Sequence, residues 1–82
     1  MTKDEIRRTI IEELGNIAPE TDASTIDPGT DIREALDIDS MDYLNFITAL
    51  HKRLGVDVPE SDYPKLLTIA EAIDYLAAKL GR

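Results

Sequence analysis

The sequence predicts an all-α protein, a small four-helix bundle with three main helices, one short helix and a long loop between the first two. Three observations lead there. Apolar residues recur at the 3.6-residue helical spacing in three separate stretches. No stretch alternates apolar and polar residues in the two-residue rhythm of a strand, and no internal repeat occurs. Finally, 82 residues supply one hydrophobic core but not two, so residues 1–82 are expected to form a single domain. A chain this short removes only about 60% of its unfolded surface from water on folding, which leaves little material for a deep catalytic cleft.

The first helix is expected from Lys3 to about Ile17, because Ile6, Ile10, Ile11, Leu14 and Ile17 share one face. Thr2 and Glu5 stand at capping-box spacing, while Gly15 and Asn16 weaken the far end. From about Ala18 to Ile38 no period holds, and Pro19, Asp22, Ser24, Asp27, Pro28, Gly29 and Thr30 supply turn chemistry. Loops of this length are uncommon in compact domains unless they are functional or pinned to the core, and Ile26, Ile32, Leu36 and Ile38 are the candidate pins. Asp31 to Leu36 holds residues that favour helix, so a short helical turn and an open loop are both compatible with it.

The second main helix begins at Asp39 or Ser40 and runs to Leu54, where Gly55 offers a left-handed residue to end it. Its projection puts Tyr43, Leu44, Phe46, Ile47, Leu50 and Leu54 on a buried stripe and leaves Met41 exposed. Val56 to Val58 reads as extended, followed by a brief helical turn opened by Pro59 and curtailed by Pro64. The last helix starts at Thr68, with Glu71 completing a second capping-box pattern. It carries Ile69, Ala72, Ile73, Leu76 and Leu80 at helical spacing up to Gly81.

Composition narrows the function. A net charge of −8, from 17 acidic and 9 basic residues, repels nucleic acids and anionic membranes and favours partners with basic docking patches. No cysteine is present, which removes disulfides, thiolate nucleophiles and cysteine-ligated zinc; any thiol chemistry has to borrow a sulfur. The opening residues lack the pattern of a secretory signal, and no run approaches the roughly 20 apolar residues of a membrane span. A soluble cytoplasmic monomer with no membrane insertion is expected.

Chemistry concentrates at Leu36-Asp37-Ile38-Asp39-Ser40-Met41-Asp42, where a hydroxyl opens a helix directly after the long loop. Free amides and the partial positive charge of a helix N-terminus favour a phosphodiester on Ser40. Asp39 is placed to cap the helix, and Asp42 lies in the first turn, where a carboxylate suits the dipole. A nucleophilic serine is disfavoured, since the only histidine, His51, lies eleven positions on, roughly 16 Å along the helix. A calcium loop counted from Asp37 is only a minor alternative, because Asp42 and Thr48 stand where the pattern requires glycine and glutamate. No catalytic residue and no resident metal are assigned.

Asp39-Ser40-Met41-Asp42 resembles the Asp-Ser-Leu-Asp motif of acyl carrier proteins, with Met41 in place of leucine. Gly55-Val56-Asp57-Val58-Pro59 is similar to the link after that family's second helix, and Thr68 to Leu76 to its last helix, so nearly the whole chain is covered. A glycine common three residues before the serine is replaced by Asp37, which still adopts turn conformations. The resemblance implies an acyl-carrier bundle in which Ser40 receives 4'-phosphopantetheine from coenzyme A through a phosphopantetheinyl transferase, with a transient magnesium contact at Asp39. It further implies a non-catalytic role: an acyl group rides as a thioester on the arm's terminal thiol between loading and processing enzymes, as in fatty acid biosynthesis. The sulfur that a cysteine-free chain lacks is then supplied by the cofactor.

On this footing Asp39, Met41, Asp42 and Asn45 are the expected partner-recognition residues. Phe46, Ile47, Leu50, Val58, Leu66 and Ile73 are core by default, and the resemblance makes them the possible acyl cavity. Two departures bear on the cargo. Beyond Asp42 the second main helix offers Asn45, Thr48, His51, Lys52 and Arg53 where fatty-acid carriers usually place carboxylates, which points to a specialised lipid or secondary-metabolite pathway. Tyr43 and Tyr63 are bulky for a cavity lining and suggest a short, polar or unsheltered cargo. An aminoacyl, D-alanyl or peptidyl carrier is the alternative, although Asp39 stands where peptidyl carriers often place histidine. An unmodified helical adaptor is the alternative from another class.

Overall fold

The structure, a computed structural model, describes residues 2–81. Helix α1 spans Lys3–Ile17 and opens with a complete capping box: Thr2 Oγ1 accepts from the Glu5 amide at 3.2 Å, and Glu5 Oε1 accepts from the Thr2 amide at 2.9 Å. These bonds hold the Glu5 carboxyl below its ordinary range. Ile6, Ile10 and Leu14 are fully buried, with Ile11 and Ile17 partly covered at the flanks. Thr9 is buried too, its hydroxyl satisfied by the Glu5 carbonyl at 3.0 Å.

The predicted long loop is tied down along its length. A 3₁₀ turn at Ala23–Thr25 is capped by Asp22, and Asp27 accepts from the Gly29 amide at 2.8 Å. Helix α2, Ile32–Leu36, then settles the open choice in favour of a helical turn. Ile32 and Leu36 are buried while Ile26 and Ile38 are partly so, and two backbone bonds fasten the loop to the start of the last helix. These run from the Ile32 amide to the Leu67 carbonyl at 2.7 Å and from the Ala70 amide to the Pro28 carbonyl at 3.1 Å. Helix α2 ends on Asp37 in the left-handed conformation, φ 53° and ψ 47°, with the Ile38 amide returning to the Arg33 carbonyl at 3.1 Å.

Helix α3 spans Ser40–Leu54 and closes on Gly55 at φ 67°. A 3₁₀ segment follows at Glu60–Leu66, and helix α4 occupies Ile69–Lys79. Helix α1 packs on both α3 and α4, and the 3₁₀ segment leans on α4. Among the described residues there is no strand, only one isolated bridge between Asp31 and Thr68. Phe46, Leu50, Ile32, Leu66, Ile69 and Leu76 join the buried residues of α1 in one cluster, each contributing about 1.5–3 kcal/mol by leaving water. The four-helix reading therefore holds, with α2 and the Ala23–Thr25 turn added to it.

Three local expectations are corrected. Leu44 is not on the buried stripe: it lies about 100° from the centre of the stripe formed by Tyr43, Phe46, Ile47, Leu50 and Leu54 and is 38% exposed. Pro64 does not curtail the turn opened by Pro59, because the 3₁₀ geometry needs a φ close to the one its ring already imposes, and the turn continues until Leu66 enters the core. At α4 only half of the second capping box forms. Thr68 Oγ1 accepts from the Glu71 amide at 3.1 Å, but the Glu71 carboxylate is taken by the Thr68 hydroxyl, at 3.0 Å, instead of the backbone.

Candidate functional site

Ser40 is the first residue of a fifteen-residue helix and is exposed. Two devices deliver it there. The left-handed turn at Asp37 reverses the chain out of α2, and Asp39 caps α3 by accepting from the Asp42 amide at 2.9 Å. The cap satisfies one of the orphan amides of the first turn and leaves those of Ser40 and Met41 outside the intrahelical ladder, directed where an anion on the serine oxygen would lie. Charge along α3 follows its dipole: Asp42 stands in the first turn, and His51, Lys52 and Arg53 in the last.

An open groove of about 290 Å³ begins at Ser40 and is lined by Arg33, Tyr43, Leu44, Tyr63, Pro64 and Leu67. Arg33 is the single Lys or Arg between Arg8 and Lys52. Its guanidinium is held by Asp31, with Nη2 3.1 Å from Oδ2, and stands 5.9 Å from the centre of the Tyr43 ring. The bond from Arg33 keeps the Asp31 carboxyl below the usual carboxylate range. Tyr43 donates its hydroxyl to the Tyr63 carbonyl at 2.8 Å; burial pushes its pKa up to about 12, with Arg33 pulling the other way, so at neutral pH it stays protonated. A second groove, about 670 Å³, is lined by Ile47, Thr48, His51, Asp57, Val58, Pro59, Tyr63 and Lys79. There His51 Nδ1 lies 2.9 Å from the Val56 carbonyl and 3.3 Å from Asp57 Oδ1, tying the end of α3 to the extended link.

Asp39, Met41 and Asn45 are exposed and Asp42 is half-buried, all within two turns of Ser40. Met41, 66% exposed, shares one face with Asn45, Thr48 and Lys52. The six residues expected around a cavity do not gather about one open space. Phe46, Leu50 and Leu66 are fully buried in the closed cluster and Ile73 packs against it, while only Ile47 and Val58 reach the larger groove. Large side chains from α1 and α4 fill the interior, and the two grooves described above lie outside it, between α3 and the 3₁₀ segment. Arg33, Leu67 and Pro64 were absent from the sequence-based site. No spacing signal relates them to Ser40, because their approach depends on the loop being fastened to α4.

Among the described residues no group of three or more His, Asp or Glu side chains could hold a metal ion, and no helix is long and apolar enough to cross a membrane. Ser40 and His51 occupy opposite ends of the same helix.

The family model for the phosphopantetheine attachment site matches residues 4–76. An acyl carrier protein of Campylobacter hominis is 34% identical over 73 residues, covering 89% of this chain and 86% of that one. An acyl carrier protein of a Picosynechococcus species is 28% identical over 78 residues, covering 95% of this chain and 90% of the relative. The solved structure of the acyl carrier protein from Enterococcus faecalis superposes with a TM-score of 0.81 over 96% of this chain and 99% of that one, at 23% identity, a likeness of fold. Together with the exposed serine at a capped helix start, these matches place the chain in the acyl carrier protein family, non-catalytic carriers whose covalent cofactor is 4'-phosphopantetheine.

Proposed function

We propose that Ser40 is the residue that carries the phosphopantetheine arm, and that residues 1–82 act as one carrier domain. The observation that carries this reading is the placement of an exposed hydroxyl as the first residue of α3, behind the Asp39 cap and at the mouth of an open groove. In the transfer, the serine oxygen displaces the adenosine bisphosphate half of coenzyme A, forms the new phosphodiester and loses its proton. The chain supplies the positioned hydroxyl, the first-turn amides and the dipole field, and Arg33 at the groove's edge is the nearest cation of the loop side. When attached, the arm brings the thiol that a cysteine-free chain lacks. Asp39, Met41, Asp42 and Asn45 form the surface a transferase reads first, since they surround the serine and all but the half-buried Asp42 are exposed. Peptide mapping by mass spectrometry after incubation with coenzyme A, magnesium and a broad-specificity transferase is expected to place the added mass on Ser40. Added mass on any other residue overturns the assignment.

The pathway reading is that the chain serves a specialised lipid or secondary-metabolite route. What favours it is the outward face of α3, where Met41, Asn45, Thr48 and Lys52 stand in line with no carboxylate among them. Arg53 is occupied by Glu12 of α1, at 2.6 Å, which leaves Lys52 as the basic group offered to a partner on this face. Acyl-loading and acyl-processing partners of the chain then present a carboxylate opposite Lys52. Lys52→Glu is expected to weaken binding of the native partner; unchanged affinity would reduce the helix to family drift.

A further inference from the structure

Ser40 sits in an acidic stretch, with Asp37, Asp39 and Asp42 beside it in the sequence, and a phosphodiester on its oxygen adds one more negative charge there. One cation faces the same space. Arg33 of α2 lines the groove that begins at Ser40, and its guanidinium lies 5.9 Å from the centre of the Tyr43 ring. Ser40 and Tyr43 stand three residues apart on α3, where side chains are neighbours with Cβ atoms about 5–6 Å apart. Arg33 and Ser40 therefore approach the same tyrosine from two elements, and a phosphate on the serine oxygen falls between them.

The guanidinium is held in a fixed direction. Asp31, the cap of α2, accepts through Oδ1 from the Arg33 amide at 2.8 Å and from Nε at 3.4 Å, and through Oδ2 from Nη2 at 3.1 Å. Asp31 is in turn fastened to the start of α4, by its bridge to Thr68 and by the adjoining bond from the Ile32 amide to the Leu67 carbonyl at 2.7 Å. A guanidinium has five N–H donors. Asp31 takes the Nε–Nη2 edge, so the Nη1–Nη2 edge remains, a planar fork of the kind that receives two phosphate oxygens at once. The other cations stand elsewhere. Lys65 is paired with Asp62 at 3.2 Å and does not line this groove, while Lys52 and Arg53 lie about 18 Å or more along α3 from Ser40.

We propose that Arg33 is a binding residue for the phosphodiester of the arm: it takes the phosphate oxygens on its Nη1–Nη2 edge and holds the root of the arm over Tyr43. Asp31 is the positioning residue that aims it. The inference rests on Ser40 as the attachment point. It concerns the near end of the arm and is independent of the cargo carried at the far end. Arg33 is part-exposed and already shares its charge with Asp31, so the contact is modest and salt weakens it.

The test compares apo and holo forms of the native chain, Arg33→Lys and Arg33→Gln, with circular dichroism checking that each keeps the bundle. Phosphorus NMR reads the contact itself. The phosphodiester resonance of the native holo chain is expected to stand apart from its position in the urea-unfolded chain; Arg33→Gln should return it most of the way and Arg33→Lys part of the way. Thermal melts read the strength. Attachment of the arm should change the midpoint more favourably in the native chain than in Arg33→Gln, by roughly 2–4 °C, the shift expected of a weak surface ion pair in a chain of this size. Both apo forms lack the arm, so a merely structural role of the Arg33–Asp31 pair cancels from this difference. Where a variant loses the bundle, the native holo chain serves alone, and added salt should move its resonance toward the unfolded position. The proposal is overturned if the resonance ignores Arg33→Gln or salt, or if attachment changes the midpoint equally in the native chain and Arg33→Gln. An arm that peptide mapping finds on another residue overturns the attachment reading and this one together. An arm on Ser40 with either readout unmoved overturns the role of Arg33 alone.

Discussion

The α1–α4 side and the α2–α3–3₁₀ side are held together by different physics. On the first, Ile6, Ile10, Leu14, Ala72 and Leu76 interlock with no solvent contact, and the bond between the helices is apolar burial. On the second, directional bonds are added to the packing of Ile32, Phe46, Leu50 and Leu66: the Asp39 cap, the left-handed Asp37, the Tyr43–Tyr63 and Tyr75–Asp62 bonds, and the fastening of Ile32 to Leu67. The groove at Ser40 and the larger one at Ile47 and His51 lie on this second side. A carrier needs such a division, because a tether that partners must grasp belongs on a surface whose disturbance leaves the core intact.

The contrast breaks most readily at the centre. Phe46→Ala removes the largest fully buried side chain and is expected to cost about 3–5 kcal/mol in urea unfolding. That is a large share of the roughly 5–15 kcal/mol available to a small domain. If the loss were below about 1 kcal/mol, apolar packing would not be what joins α3 to the α1–α4 side. Tyr43→Phe tests the other side, since it deletes one hydroxyl bond while keeping the ring, and should cost about 1 kcal/mol.

The same tyrosine gives a pH signature. Its pKa is raised in the folded chain from 10.0 to about 12, so its contribution is complete below pH 10 and is lost as pH rises toward 12, where the unfolded chain has already released the proton. Tyr75, also raised to about 12, first by burial and then by its bond to Asp62, acts in the same direction. Thermal melts should therefore fall across this window, and less steeply in Tyr43→Phe; identical slopes would remove Tyr43 from the account. Asp39→Ala should cost about 1 kcal/mol through the lost cap. The smallest effect is a gain: Asp37→Gly relieves the left-handed strain but frees the unfolded chain, for a net stabilisation of about 0.5 kcal/mol in the same urea assay.

The first side was legible in the sequence and the second only in part. Ile6, Ile10 and Leu14 announce a buried face by spacing alone, and the ends of α1 and α3 follow from Thr2, Glu5 and Gly55. Ser40 was legible because its motif combines a cap, a hydroxyl and a first-turn carboxylate within four residues. Leu44 was misplaced since a helical projection has no sharp margin: a residue about 100° from the stripe's centre is covered only if a neighbour happens to reach it, and here a groove lies there instead. Arg33, Tyr63 and Leu67 were not gathered around Ser40 because no periodicity encodes which loop carbonyl meets which helix amide. Asp37 is the intermediate case: the sequence shows a substitution for glycine, and the backbone angle of 53° gives the reason a glycine would suit.

Ser40→Ala is the most direct measurement of the division between a core that folds and a surface that carries. The account predicts an unfolding midpoint equal to that of the native chain and no mass increase on exposure to coenzyme A, magnesium and transferase. A variant that still gains the arm would contradict it.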